Sequence, residues 1–318
     1  MKKQPFIDLV ICGPDMSGTS TQVEDTIEFF QDLGGKVRDM RGTEDSALFH
    51  TNKFSLHNKN ELSLYNFMNN NSVKPFTKLD VIYQISKLNN GFYGEQKLLA
   101  SMIRNYVTTY INPNSADVWI FEEPTHRSAG QDCRIVENNR SKFDSETDQI
   151  AIAMAHQTYR ISEFLRFRKP LREAGKIIIR SRSEESGCYQ IFEKSLIESG
   201  IIKTEYLNLP GHKIAFANPP THLFIVCGPE DWTVKQYLKL KKERSKGRVV
   251  DDLENNAPYQ VLVNKRYATE WIKTFYQKGC EMHGTKIPKI DRFNIYDSKE
   301  IIKQQMAKKL TEIVENQA

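Results

Sequence analysis

Residues 6–22, FIDLVICGPDMSGTSTQ, constrain the fold of this chain more than any other stretch. They open with an apolar run at residues 7–12, which is typical of a strand buried on both faces. Gly13 follows at once, and a helical pattern begins near Thr21 and continues to Leu33. The stretch therefore predicts a buried strand, a short loop with a glycine at each corner, and a helix.

The loop in this stretch fits the phosphate-binding pattern G-x-x-x-x-G-K-[ST] at every fixed position but one. Gly13 and Gly18 allow the backbone to turn tightly and to approach a phosphate closely. The loop amides would point inward, and the helix N-terminus would add partial positive charge. The predicted ATP-binding residues are Gly13, Pro14, Asp15, Met16, Ser17, Gly18, Thr19, Ser20 and Thr21.

The exception to the pattern is Thr19, which stands at the lysine position. The change removes the point charge that normally reaches the β- and γ-phosphates. Ser20 follows it, and its hydroxyl is the predicted ligand of Mg²⁺. The alternative interpretation of the stretch is a plain strand-to-helix turn that binds nothing.

Composition favours a folded protein with a sizeable core, because the chain has 318 residues, 39% hydrophobic and 27% charged. The net charge of +5, with no long basic run, indicates a mild bias toward anionic ligands and argues against a nucleic-acid partner. We see no signal peptide and no apolar run long enough to cross a membrane, so we expect a cytoplasmic protein. The five cysteines are widely spaced without a C-x-x-C motif and are predicted to be reduced core residues: Cys12, Cys133, Cys188, Cys227 and Cys280.

Apolar runs of strand length recur along the chain and alternate with helical patterns. The predicted strands are residues 7–12, 36–41, 118–121, 176–179, 222–226 and 293–296. The predicted helices include residues 148–171, 234–240, 258–277 and 299–314, and residues 201–217 are predicted to form a hairpin or loop. This alternation favours an α/β fold with a parallel sheet covered by helices on both faces.

The alternation is interrupted at residues 43–117, which are rich in Asn and Lys and carry helical patterns. We therefore predict a helical insertion at 43–117, between a first segment at 1–42 and the remainder at 118–318. Four of the predicted strands are followed by segments rich in polar residues and glycine: GPDMSGTS, EEPTHR, RSRSEES and GPEDW. Because the carboxyl ends of parallel strands meet at one edge of a sheet, these segments are expected to line a single cleft.

The order of these motifs resembles that of the thymidylate kinases, the P-loop nucleoside-monophosphate kinases that make dTDP from dTMP and ATP. The family's REPGGTPLGEKIR-like segment resembles EEPTHRSAGQDCR at residues 122–134, and its F-x-x-x-R helix before P-x-L resembles HQTYR at 156–160, followed by KPL. Its DR(Y/H) strand end, followed by S-x-x-A-Y, resembles SRS at 181–183 and then residues 186–189. The basic segment at 241–254 resembles the family's lid. The resemblance does not cover residues 43–117.

The resemblance implies a three-layer P-loop NTPase fold, Mg²⁺ as cofactor, ATP and a nucleoside monophosphate as ligands, and a homodimer. The acceptor-binding residues that it implies are Asp15, Glu123, His156, Arg160, Arg182 and Ser186. His156 takes the place of the base-stacking aromatic, and Arg160 and Arg182 would grip the acceptor phosphate in the forked geometry that arginine favours. The implied catalytic cations are Arg182 and, from the lid, Arg244 and Arg248.

The chain departs from the family pattern at several positions besides Thr19. Ser181 replaces the aspartate of the DR pair, Glu122 replaces the arginine of REP, and His156 replaces a phenylalanine, so the acceptor base need not be thymine. The leading hypothesis is a thymidylate kinase-like enzyme. A second is a catalytically impaired protein of the same fold that binds nucleotide or a protein partner, and a third is a kinase of a different small acceptor.

Overall fold

The computed structural model of the chain describes residues 6–41, 112–125, 130, 156–186, 207–245 and 255–316. Most of the predicted insertion lies outside the described residues, and so do Cys133, Cys188 and Arg248.

Six parallel strands form a single sheet, as the alternating pattern predicts. The strands are β1 (Ile7–Cys12), β2 (Val37–Asp39), β3 (Val118–Glu122), β4 (Ile177–Ser181), β5 (His222–Cys227) and β6 (Lys289–Asn294). Their order across the sheet is β2-β3-β4-β1-β5-β6. The strand of the glycine-containing stretch, β1, therefore lies inside the sheet, between β4 and β5.

The described helices flank the sheet and connect its strands. They are α1 (Thr19–Asp32), α2 (156–173, with a π-helical turn at Phe164–Arg168), α3 (Pro210–Ala217), α4 (Val234–Arg244), α5 (Ala257–Ala268), α6 (Trp271–Glu281) and α7 (Lys299–Glu315). Among the helices that the structure describes, none combines the length and the apolar character needed to cross a membrane.

The side chains of β1 show why both faces of the sheet are covered. Leu9 and Ile11 are fully buried in a core that contains side chains of α1, α4 and α7. Val10 and Cys12 point to the opposite face and are buried in a second core with side chains of α3, α5 and α6. A strand buried on both faces has to be apolar at nearly every position, which is what the run at residues 7–12 indicates. Cys12, Cys227 and Cys280 are buried and form no disulfide, as predicted.

The last strand was predicted four residues too late, because β6 spans Lys289–Asn294 instead of 293–296. β6 lies at the edge of the sheet and pairs with β5 along its whole length. Phe293 is its one buried residue, while Lys289 and Asn294 are exposed. An edge strand of this kind lacks the continuous apolar run by which the inner strands were recognised.

The predicted helix at 258–277 is also wrong, because two helices, α5 and α6, meet at a break near Thr269. Arg292 of β6 donates to the carbonyls of Tyr267 (2.9 Å) and Thr269 (2.8 Å), so a neighbouring strand satisfies acceptors that the end of a helix exposes. The hairpin or loop predicted at 201–217 is wrong for its second half. That half forms α3, which begins at Pro210 and buries Phe216.

Candidate functional site

The glycine loop (residues 13–18) lies at the carboxyl end of β1, at a point where the connections of the sheet diverge. The chain leaves β1 through α1 toward β2 at one edge, and it leaves the neighbouring β5 toward β6 at the other edge. In parallel α/β sheets, ligands bind in the crevice that such a divergence opens. The position of the loop therefore makes it the leading candidate for a binding site among the described residues.

Close packing against β5 fixes the start of the glycine loop. A Cβ atom added to Gly13 would lie 2.2 Å from the carbonyl oxygen of Val226, which no other residue type could accommodate without a shift of backbone. At the other end, Gly18 has a left-handed φ of 81° and forms the N-cap of α1 without a side-chain cap. The first turn of α1 thus presents its amides without a capping side chain, as an anion site at a helix N-terminus requires.

The remaining predicted ATP-binding residues differ in exposure. Pro14, Met16, Ser17 and Thr19 are buried, Asp15 and Thr21 are half-buried, and Ser20 is exposed. Thr19 is the first residue of α1 and therefore stands where the lysine of the phosphate-binding pattern would begin the helix. An exposed hydroxyl on Ser20, one residue further, is accessible to a ligand in the crevice.

Asp15 connects the glycine loop to the end of β4. Its Oδ1 accepts a hydrogen bond from Nη2 of Arg182, and the two side chains, 14% and 21% exposed, form an ion pair. Its Oδ2 accepts from Nε2 of Gln260 at 2.6 Å, and its amide donates to Oε1 of the same residue at 3.1 Å. Two residues that the family resemblance assigns to one site, Asp15 and Arg182, are thus in direct contact.

Backbone strain accompanies this contact on both sides. Met16, next to Asp15, has a φ of 67°, and Arg182 itself has a φ of 65°. The left-handed region costs a residue other than glycine about 1–3 kcal/mol and is maintained only where the surroundings fix it. The amide of Arg182 donates to the carbonyl of Ile11 at 2.9 Å, which helps hold the residue in this conformation.

A second ion pair lies deeper, at the carboxyl end of β3. Nε and Nη2 of Arg160 lie 2.7 and 2.5 Å from Oε1 of Glu123, and both side chains are almost fully buried. Nη1 of Arg160 lies 2.9 Å from Nε2 of His212. Because a guanidinium can only donate, Nε2 of His212 accepts, which places the ring proton of the neutral histidine on Nδ1. The structure therefore brings the predicted acceptor residues Glu123 and Arg160 together.

The other two predicted acceptor residues are both buried. His156 lies one helical turn before Arg160 in α2 and is 1% exposed. Ser186 is 2% exposed, and its hydroxyl donates to Oε1 of Glu185 at 3.2 Å and lies 3.4 Å from the hydroxyl of Tyr267. Neither side chain therefore reaches the surface in this conformation.

Arg244, predicted as a cation of the lid, contacts the backbone of the glycine loop from the end of α4. It is the last residue of α4, and its Nη1 donates to the carbonyl of Met16 at 2.6 Å. Its Nη2 donates to the carbonyl of Ile295 at 2.7 Å. The guanidinium thus connects the loop to the segment after β6, and partial burial lowers the pKa of this group.

Sequence reasoning missed a buried charged network beneath the loop. Asp8 of β1 is fully buried and accepts from Nε of Arg180 at 2.9 Å, and guanidinium groups of Arg168 and Arg172 each lie 3.3 Å from its Oδ2. Burial alone would raise the pKa of Asp8, but the three arginines outweigh burial and lower it. The available signal was a single aspartate within the apolar run of β1, since buried charges are found almost entirely in pairs or networks.

The same network contains two adjacent buried carboxylates, Glu184 and Glu185. The hydroxyl of Tyr276 lies 3.2 Å from Oε1 of Glu184 and 3.1 Å from Oε2 of Glu185. Burial, and then the neighbouring charges of Glu184 and Glu123, raise the pKa of Glu185 to about 7. Protonation of Glu185 removes part of the repulsion between the two carboxylates.

No family model matches this chain, and no curated protein matches it.

Proposed function

We propose that this protein is a Mg²⁺-dependent nucleoside-monophosphate kinase of the thymidylate kinase type. It would transfer the γ-phosphate of ATP to dTMP or to a related (deoxy)nucleoside monophosphate. The proposal includes the three-layer P-loop NTPase fold, with the glycine loop as its phosphate-binding loop. A cytoplasmic homodimer belongs to the same proposal, by resemblance to the family.

The observation that carries the proposal is the contact between Asp15 and Arg182. Asp15 belongs to the loop that would bind the phosphates of ATP. Arg182 directly follows β4 and would bind the phosphate of the acceptor. Phosphoryl transfer depends almost entirely on holding two phosphates in line and spreading positive charge around the group that moves. The direct contact between Asp15 and Arg182 supports such a site, because the two phosphates would then lie next to each other.

Different residues of this chain would then bind ATP and the acceptor. Amides of the glycine loop and of the first turn of α1 would bind the ATP phosphates, without a capping side chain in the way. Arg182 and Arg160 would bind and orient the acceptor phosphate, while Asp15 and Glu123 would orient the acceptor through its hydroxyl or base groups. The buried positions of Glu123 and Arg160 would also exclude water from that end of the site.

Mg²⁺ fits this arrangement through Ser20. Magnesium in such sites keeps several waters and is held largely by substrate phosphates, so one exposed hydroxyl next to the loop is a sufficient protein ligand. The described residues contain no group of three or more His, Cys, Asp or Glu that would hold a metal without a nucleotide. When bound, the ion would neutralise charge that develops on the phosphates.

The test is coupled ADP release from ATP and Mg²⁺ with a panel of nucleoside and deoxynucleoside monophosphates. Acceptor-dependent ADP release by the wild-type chain is expected and would identify the preferred base. Thr19→Lys, measured alongside, restores the loop charge and is expected to raise the rate, since one cation at the transferring phosphate contributes about 10³-fold or more. Absence of ADP release from both proteins with every acceptor would reject the kinase.

A second candidate function, a nucleotide-binding protein with impaired catalysis, is favoured by the position of Arg244. The chain has Thr19 where the loop lysine would be, and Arg244, a candidate for the substitute cation, donates to two backbone carbonyls. Calorimetric binding of ATP without turnover in the wild type, together with activity in Thr19→Lys, would support this second function.

A further inference from the structure

Helix α5 carries a buried polar stripe that contacts three strand ends. Gln260, Asn264 and Tyr267 follow the i, i+4, i+7 spacing of a single helix face, and each is at most 1% exposed. Buried polar side chains are usually retained only where they are hydrogen-bonded, so such a stripe indicates a specific set of partners.

The partners of this stripe are the segments that follow β1, β5 and β4. Gln260 contacts Asp15 in the glycine loop. Asn264 accepts from the amide of Gly228 at 2.7 Å and donates to the carbonyl of Pro229 at 2.8 Å, just after β5. The hydroxyl of Tyr267 lies 3.4 Å from that of Ser186, after β4. One helix face thus fixes the relative positions of three walls of the crevice.

Gln260 makes the most specific of these contacts, because it holds Asp15 at two points. Its amide group accepts from the backbone of Asp15 and donates to the carboxylate, and the residue is 1% exposed. The two carboxylate oxygens of Asp15 accept from different side chains, Oδ1 from Arg182 and Oδ2 from Gln260. A carboxylate has about four lone-pair positions, so acceptor capacity is left for a ligand hydroxyl.

We propose that Gln260 is a positioning residue that sets the orientation of the Asp15 carboxylate and thereby the affinity for the acceptor nucleotide. The proposal rests on the proposed function, because Asp15 is taken to contact the acceptor. Gln260 acts on the acceptor through Asp15, whose amide is the loop amide that it contacts, and the amides of the first turn of α1 remain to bind the phosphates of ATP. Its removal is therefore expected to affect the two substrates unequally.

The kinetic test uses the full-length chain and the variant Gln260→Met, which keeps the length of the side chain but neither hydrogen-bonding group. We expect the KM for dTMP, or for the preferred acceptor from the panel, to rise roughly 10-fold or more, the equivalent of one hydrogen bond to a charged group. The KM for ATP is expected to stay within about 2-fold of the wild-type value. Gln277→Met is the matched control, because Gln277 is exposed on α6. Equal loss for both substrates, or an unchanged acceptor KM, would overturn the proposal.

A second measurement tests the contact between Gln260 and Asp15 even if the wild-type chain transfers no phosphoryl group. The Asp15 amide donates to Gln260, so hydrogen exchange at residues 13–18 should be faster in Gln260→Met and unchanged in Gln277→Met. Unchanged exchange in Gln260→Met would reject the contact, independently of whether the protein is a kinase.

Discussion

Arg160 and Glu123 form a buried ion pair at the carboxyl end of β3, with Nε and Nη2 of the arginine 2.7 and 2.5 Å from the same carboxylate oxygen. The two side chains are 3% and 7% exposed, so neither charge can be solvated by water if the other is removed. The pair fixes α2 to the sheet at the point where the acceptor nucleotide is proposed to bind.

Glu123→Ala should therefore destabilise the protein strongly. It leaves the Arg160 guanidinium buried without its counter-charge, a change that costs about 3–5 kcal/mol in the free energy of unfolding. Urea unfolding of the wild type and the variant measures the difference. The matched control is Glu270→Ala, which breaks the exposed pair between Glu270 and Lys273 and should cost no more than about 1 kcal/mol. Similar losses from the two variants would contradict the buried pair.

Gly13→Ala should disrupt the start of the glycine loop. The new methyl group would meet the carbonyl oxygen of Val226 at 2.2 Å, and backbone would have to move because neither atom belongs to a flexible side chain. We expect a loss of at least about 2–3 kcal/mol in unfolding free energy together with weaker ATP binding. Gly34→Ala is the control, since Gly34 has a positive φ but nothing within 4 Å of an added Cβ, and it should cost only about 1 kcal/mol. If Gly13→Ala is no worse than this control, the close approach to β5 is not real.

Glu185 should make stability depend on pH. Its folded pKa of about 7 lies above the ordinary value of 4.5, so the folded state binds the proton more tightly than the unfolded state. The resulting stabilisation is complete below pH 4.5 and is lost as pH rises toward 7. The charged and polar groups around it are Glu184, Glu123, Arg180 and Tyr276. Comparison with the variant Glu185→Gln isolates the titration of Glu185 from the rest of the pH dependence.

The measurement is urea unfolding of both proteins at several pH values between 4.5 and 8. Relative to the wild type, Glu185→Gln should gain stability as pH rises across this window, by on the order of 1–3 kcal/mol, because a neutral amide carries no ionisation cost. A difference between the two proteins that does not change with pH would show that Glu185 titrates normally.

Arg244→Met should weaken ATP binding through the position of the glycine loop. The substitution removes the two donors that connect the carbonyls of Met16 and Ile295. We expect the Kd for ATP, measured by calorimetry, to rise roughly 10-fold, as for the loss of one or two charge-assisted hydrogen bonds. Lys242→Met removes the same charge from an exposed neighbour in α4 and should change the Kd by less than about 2-fold. Equal effects would mean that charge alone, and not this contact, supports binding.

The sequence alone was sufficient to predict the features that depend on residues close together in the chain. A continuous apolar run, two glycines and a following helical pattern predicted β1, the glycine loop and α1, and the structure places all three as expected. The parallel sheet also followed, since each inner strand has an apolar run and alternates with helical patterns. Prediction was wrong where that local signal was weak, as in the polar edge strand β6 and at the break between α5 and α6.

Only the tertiary structure decided which side chains meet. Asp15 lies 167 residues from Arg182 and 245 residues from Gln260, and Asp8 lies 172 residues from Arg180. Local periodicity carries no information about such pairs, because they depend on the order of strands across the sheet and on which helix returns over which strand end. The family resemblance brought Asp15 and Arg182 into one predicted site. Gln260, His212 and the charged network around Asp8 had no such pattern, and the packing of α2, α3 and α5 against the sheet brought them there.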